Sequence, residues 1–135
     1  MIVGNATLFG AWLEFQRVRR GTPEYEALFW AFEEADELCR NDPEGTWDFI
    51  LAAWKLDQSK AVAQNLSAGL LEDLLARHGE VVIDRVVAEA RSNHSFALLL
   101  GGVWKSQMTE AVWSKVQAAW DRRGWDGNPL SSSES

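Results

Sequence analysis

The side chains of this chain that could carry chemistry are two histidines, one cysteine and twenty carboxylates. His78 and His94 could join Glu72, Asp73 or Asp84 around a metal ion. Their spacing argues against it, because there is no HExxH pair, no Cys–His set and no Asp-rich loop. His78 reads instead as a helix-end residue whose charge meets a C-terminal dipole. A nucleophile needs a base beside it, yet Cys39 has no local histidine and no GxSxG occurs. Gly101-Gly102 runs into Val103-Trp104 rather than a phosphate-cradling pattern, and is expected to mark a close helix crossing or a tight turn. The pairs Glu33-Glu34 and Glu72-Asp73 fall at exposed or first-turn positions, where solvation accounts for them. No catalytic residue, cofactor or metal is therefore expected.

The carboxylates are unevenly placed, and this is the most informative pattern in the chain. Between Glu24 and Asp48 nine acidic residues face one basic residue, Arg40. On a helical wheel Glu26, Glu33, Glu34 and Glu37 share one face, with Trp30 in their midst, and Glu44 and Asp48 extend the run. A solvated face explains the charges alone. A Trp among them suggests an interface anchor, unless another helix or the C-terminal tail covers it. These seven residues are the candidate partner-binding set. The opposite stripe, Tyr25, Leu28, Phe29, Phe32, Asp36 and Cys39, is read as the inner face, and Asp36 on it calls for an arginine partner.

The elements that must position these residues read as helices. The first runs from Asn5 or Thr7 to Arg19, with Arg17, Arg19 and Arg20 at its C-terminal end and Gly21 stopping it. Thr22-Pro23 opens a second to about Arg40, as N-cap and first helical residue. Pro43–Leu56 is a third, amphipathic through Trp47, Ile50, Leu51 and Trp54, and Lys60–Asn65 is a short fourth. Leu70–His78 follows, with Gly69 as N-cap, Glu72 and Asp73 in the first turn, and Gly79 as a left-handed C′ residue. Glu80–Arg91 is rich in β-branched residues, but its length and the spacing 83, 86, 87, 90 predict a helix. Asn93 or Ser95 caps a buried helix through Phe96–Leu100, and Thr109–Arg122 is the last, with Val112, Trp113, Val116, Ala119 and Trp120 inward. The fold class is all-α: a compact helical bundle or a short array of helical hairpins, with about six to seven helices in residues 1–123 and a flexible tail at 124–135.

The totals bound the function. A chain of 135 residues supports one domain with a real core. Its net charge of −7 argues against nucleic acid and anionic membranes as partners and suits a soluble protein, or one that meets a basic partner. One cysteine excludes an intramolecular disulfide. Met1–Gly10 lacks the pattern of a signal peptide and no apolar run reaches a membrane span, so the expected location is the cytoplasm.

Helix pairs joined at a glycine resemble the hairpins of HEAT-type repeats. More specifically, the segments AGLLEDLLARHG, IDRV, LGGVW and VWSKVQA resemble an uncharacterised family of small bacterial helical domains over about residues 23–120. That family carries an AGPLEDLL–HG segment followed by LGGVW, and Leu70 stands here where it has Pro. The resemblance implies a helical domain and a possible kinship with immunity proteins against bacterial toxins. The leading expectation is thus an acidic protein that occludes the active site of a basic toxin enzyme. The rivals are an enzyme or small-ligand binder with a Trp-lined pocket near His78 and Trp104, and a general helical adaptor.

Overall fold

The computed structural model describes residues 5–123 and Trp125. The expected tail at 124–135 lies outside the described residues except for Trp125. Every regular element among the described residues is helical: α1 (Asn5–Phe15), α2 (Pro23–Asn41), α3 (Pro43–Leu56), α4 (Lys60–Asn65), a π turn (Leu66–Leu71), α5 (Glu72–Ser92), α6 (His94–Leu100) and α7 (Glu110–Ala119). No helix among them is long and apolar enough to cross a membrane. The valine-rich stretch that propensity alone would allow as a strand is helical, as its spacing requires.

Local chemistry starts most of these helices where the sequence places it. The Thr22 hydroxyl accepts the Tyr25 amide (3.2 Å) ahead of Pro23, and the Asp42 carboxylate accepts the Gly45 amide (2.9 Å) ahead of Pro43. Ser59 caps α4, Asn93 caps α6 and Thr109 caps α7 in the same way. Asn93 thus takes the role left open between it and Ser95. The Ser95 hydroxyl instead accepts the Trp54 indole N–H at 2.8 Å.

Around α5 the chain closes on itself. It packs against α2, α3, α6, α7 and the π turn, so the hairpins surround one helix instead of stacking in a row that meets only neighbours. Leu74, Leu75, Val82 and Val86 are fully or almost fully buried from α5, against Ile50, Leu71, Phe96, Leu99 and Leu100. Each such side chain contributes roughly 1.5–3 kcal/mol of hydrophobic stabilisation. Trp47 meets Phe96 edge-on at 5.4 Å, and Trp12 meets Phe49 at 5.7 Å. Most tryptophans are core or core-flanking residues.

Several local readings are corrected by tertiary packing. α1 ends at Phe15, so Arg17, Arg19 and Arg20 lie in the turn beyond it. Arg17 pairs with Asp57, and Gly21 serves the turn with a left-handed φ of 85°. Gly69 caps nothing, since helical backbone runs from Lys60 through the π turn into α5 as far as Arg77. Glu72 and Asp73 therefore do not sit at a free helix start. Gly79 is not left-handed. Two helical segments of α5 do meet at His78, whose backbone is non-helical (φ −133°, ψ 27°), and a Cβ on Gly79 would stand 2.9 Å from the Val112 side chain. Gly79 is small so that α7 can approach α5. The last helix stops at Ala119, with Trp120 as its cap in extended backbone.

Gly101-Gly102 is a close crossing. A Cβ on Gly101 would lie 2.0 Å from the Asp121 carbonyl oxygen, and one on Gly102 2.8 Å from the Trp125 ring. The Asp121 amide donates to the Ala97 carbonyl (3.0 Å) and the Trp125 indole N–H to the Leu98 carbonyl (2.6 Å). The segment after α7 is thereby bound across the end of α6. Arg123 and His94 both contact the Asp121 carboxylate, at 2.6 and 2.8 Å, and hold it well below the usual carboxylate range, Arg123 most strongly.

Candidate functional site: the two flanks of α2

The inner face of α2 is Ala31, Ala35 and Cys39, all essentially buried. This differs from the expected stripe of Tyr25, Leu28, Phe29, Phe32, Asp36 and Cys39. Small side chains line the face that touches the core, and the large rings are turned onto a flank. Burial pushes the Cys39 thiol up to about 12, so it is an inert core residue.

The rotation changes the acidic face. Glu26, Glu33, Glu34 and Glu37 are exposed on the outer side of α2, as expected. Trp30 is half-buried and packs against the core, so it forms the edge of the row rather than a free indole at its centre. Arg40 binds Asp36 at 2.5 Å and Glu37 at 2.8 Å, and with Asn41 it holds the Glu37 carboxyl below its ordinary range. The arginine partner expected for Asp36 is therefore Arg40, one helical turn away. Glu44 is clamped by both terminal guanidinium nitrogens of Arg85 on α5, and the charge of Asp48 is felt at the same arginine. These two carboxylates gather on the α3–α5 seam instead of joining the α2 row. Among the described residues, Glu26, Glu33 and Glu34 make no ion pair. Of the seven candidate residues, then, three remain as uncompensated surface charge on one helix.

The other flank of α2 lines a groove that the sequence did not reveal. Phe15 from the end of α1 meets Tyr25, Phe29 and Phe32 at ring-centre distances of 4.8, 6.0 and 6.4 Å. Phe32 is 49% exposed. Facing these rings across a cavity of about 610 Å³ are Ala68, Gly69 and Leu70 of the π turn, with the carboxylates of Asp36 and Asp73. Burial raises the Asp73 carboxyl above its ordinary value. Arg77 opposes that shift, and the charge of Asp36 adds to it. The signal that could have found this site was the aromatic spacing 25, 29, 32 beside Asp36, read as core. The wall opposite comes from residues some forty positions away.

His78 and Trp104, considered as a pocket lining, are each engaged in hydrogen bonds away from the α1–α2 groove. The His78 Nε2–H donates to the Cys39 carbonyl at 2.9 Å, with the Arg40 carbonyl at 3.2 Å. Carbonyls only accept, so this nitrogen carries the proton. His78 thus meets a helix C-terminus, but that of α2 rather than of its own helix. Trp104 is 68% exposed, and its amide donates to Glu72 at 3.1 Å. Neither residue lines the groove. No group of three or more His, Cys, Asp or Glu side chains among the described residues could hold a metal ion.

A family model covers residues 18–124, which includes α2, the π turn and Gly101-Gly102 but not Trp12, Phe15 and Gln16 of the groove or Trp125 of the crossing. The chain belongs to DUF6869, a family of unknown function. This agrees with the resemblance to an uncharacterised family. No curated protein and no solved structure matches the chain.

Proposed function

We propose that this member of the family is a cytoplasmic acidic binding protein that neutralises a basic partner, and that the partner is a toxin enzyme domain whose active site it occludes. The observation that carries the proposal is the division of the α2 and α3 acids. Asp36, Glu37 and Glu44 are compensated internally, whereas Glu26, Glu33 and Glu34 stand exposed without ion pairs among the described residues. Fold stability does not require three uncompensated carboxylates on one helix side. A cationic surface would neutralise them. The net charge of −7 steers the encounter, and Trp30, at the edge of the row, supplies apolar contact area. An enzyme acting on nucleic acid needs a cationic site, which a carboxylate row can fill as the polyanion does.

The test is a capture experiment with the wild-type chain and the variant Glu26→Lys/Glu33→Lys/Glu34→Lys. A basic protein should be retained stoichiometrically by the wild type, lost with the variant, and inhibited in its own activity by the wild type alone. Its association rate should fall roughly tenfold or more between low and high ionic strength. Retention by the charge-reversed variant, or an association rate indifferent to salt, refutes the docking row.

A further inference from the structure

The groove between α1, α2 and the π turn differs in chemistry from the acidic row on the other flank of α2. Its volume of about 610 Å³ matches small-molecule sites rather than a packing defect. One wall is aromatic, and ring faces carry negative quadrupole potential. The charges set into it are mainly negative. Asp36 shares its carboxylate with Arg40 outside the groove. Asp73 is half-buried and has no hydrogen-bond or ion-pair partner among the described residues. Arg77 lies near enough to be felt at Asp73 but does not offset its burial. Arg20 is the one cation in the lining among the described residues, and its side chain is exposed. Gly69, on the π turn, would direct a Cβ into open space with nothing within 4 Å. Interruptions of this kind in helices are frequent at binding sites.

We propose that this groove binds an organic cation, an ammonium or guanidinium group on a compact apolar body, with the Phe15–Tyr25–Phe29–Phe32 rings around the body and Asp73 receiving the charge. An anion would face Asp73 and the ring faces with only the exposed Arg20 in the lining to oppose them. A neutral molecule of the same shape would fill the volume yet leave the Asp73 charge unpaired. The proposal stands apart from the docking row, which lies on the other flank of α2.

Benzamidine, benzamide and benzoate share a shape and differ in charge, so calorimetric titration of the full chain with each separates these cases. Benzamidine should saturate one site and bind about tenfold or more tighter than benzamide, and benzoate should not bind. Gly69→Leu fills the groove from a position with free space and should abolish benzamidine binding while the protein still melts cooperatively. Asp73→Asn should reduce benzamidine to the affinity of benzamide. N-acetyl-arginine amide distinguishes the source of the cation. Binding tighter than benzamidine points to an arginine side chain presented by another protein, and weaker binding to a free aryl or alkyl cation; either supports the cation site. Equal affinity for benzamidine and benzamide overturns the proposal, as does benzamidine binding that survives Gly69→Leu. Absence of saturation up to about 10 mM also overturns it. Should Gly69→Leu fail to fold, the charge series and Asp73→Asn decide the matter alone.

Discussion

The two ends of this bundle solve opposite problems. At the α5–α6–α7 end, glycines let backbones touch. Gly79 meets Val112, Gly101 meets the Asp121 carbonyl, and Gly102 meets Trp125. The crossing is also pinned by polar contacts of the Trp125 indole N–H and the Asp121 carboxylate. At the α1–α2–π end a glycine also appears, but Gly69 meets nothing, Phe32 is half exposed, and Asp73 is half-buried without a partner among the described residues. The same residue type closes one end and leaves the other open. What differs is whether a second segment of chain arrives to use the space. An end packed to contact is where substitutions should cost stability, and an open end is where they should cost little or even stabilise.

The largest effect is expected at Gly101. Its new Cβ in Gly101→Ala would collide with a backbone oxygen, which cannot swing aside as a side chain can. The post-α7 segment must lift off α6, costing on the order of 2–3 kcal/mol, read as a lowered chemical-denaturation midpoint. A change below about 0.5 kcal/mol would mean that the crossing is not tight. Next is His78→Ala, which strips the N–H from the Cys39 and Arg40 carbonyls at the end of α2. A loss of about 1 kcal/mol is expected, with amide exchange in the last turn of α2 faster than in its middle. Uniform acceleration along α2 would instead indicate a general packing defect.

The smallest effect, of opposite sign, is expected at the open end. Asp73 has a folded pKa raised above its unfolded value. The native state therefore holds its proton more tightly than the unfolded chain does, and its contribution to stability declines as pH rises through the window between the two values. Removing the charge in Asp73→Asn should stabilise the protein at neutral pH, and the gain should vanish once pH falls below the ordinary aspartate range. Thermal melts of both proteins across that range check it. A variant less stable than wild type at neutral pH would show that the carboxylate is serving a structural contact. Glu72 shifts in the same direction, mainly through burial and in part through the charge of Asp73, so its own shift lessens in the variant and adds to the gain with the same sign.

The local signals were legible because they depend on neighbours in sequence. Thr22-Pro23, Asp42-Pro43, Asn93 and Thr109 cap helices through bonds to amides three residues on, and such bonds need no tertiary partner. The acidity of the outer side of α2 was legible for the same reason. The readings at Gly69 and Gly79 failed because a glycine near a helix boundary has several uses that only the approach of another segment distinguishes. The inner face of α2 was misread because its rings outweigh Ala31 and Ala35 in hydrophobicity. A face that meets a close neighbour, however, is chosen for smallness.

By itself, then, the order of residues determined the helical class, nearly all the helix starts, the segregation of acid onto α2 and the centrality of the segment from Leu66 to Trp104. Periodicity and capping act over one or two turns, and charge is additive in composition. Tertiary structure alone decided which carboxylates are spent internally on Arg40 and Arg85, and which helix end His78 serves. It also decided that the rings of α1 and α2 face a π turn and Asp73 across open space. Those outcomes depend on distances between residues far apart in the chain, and such distances exist only once the helices have packed around α5.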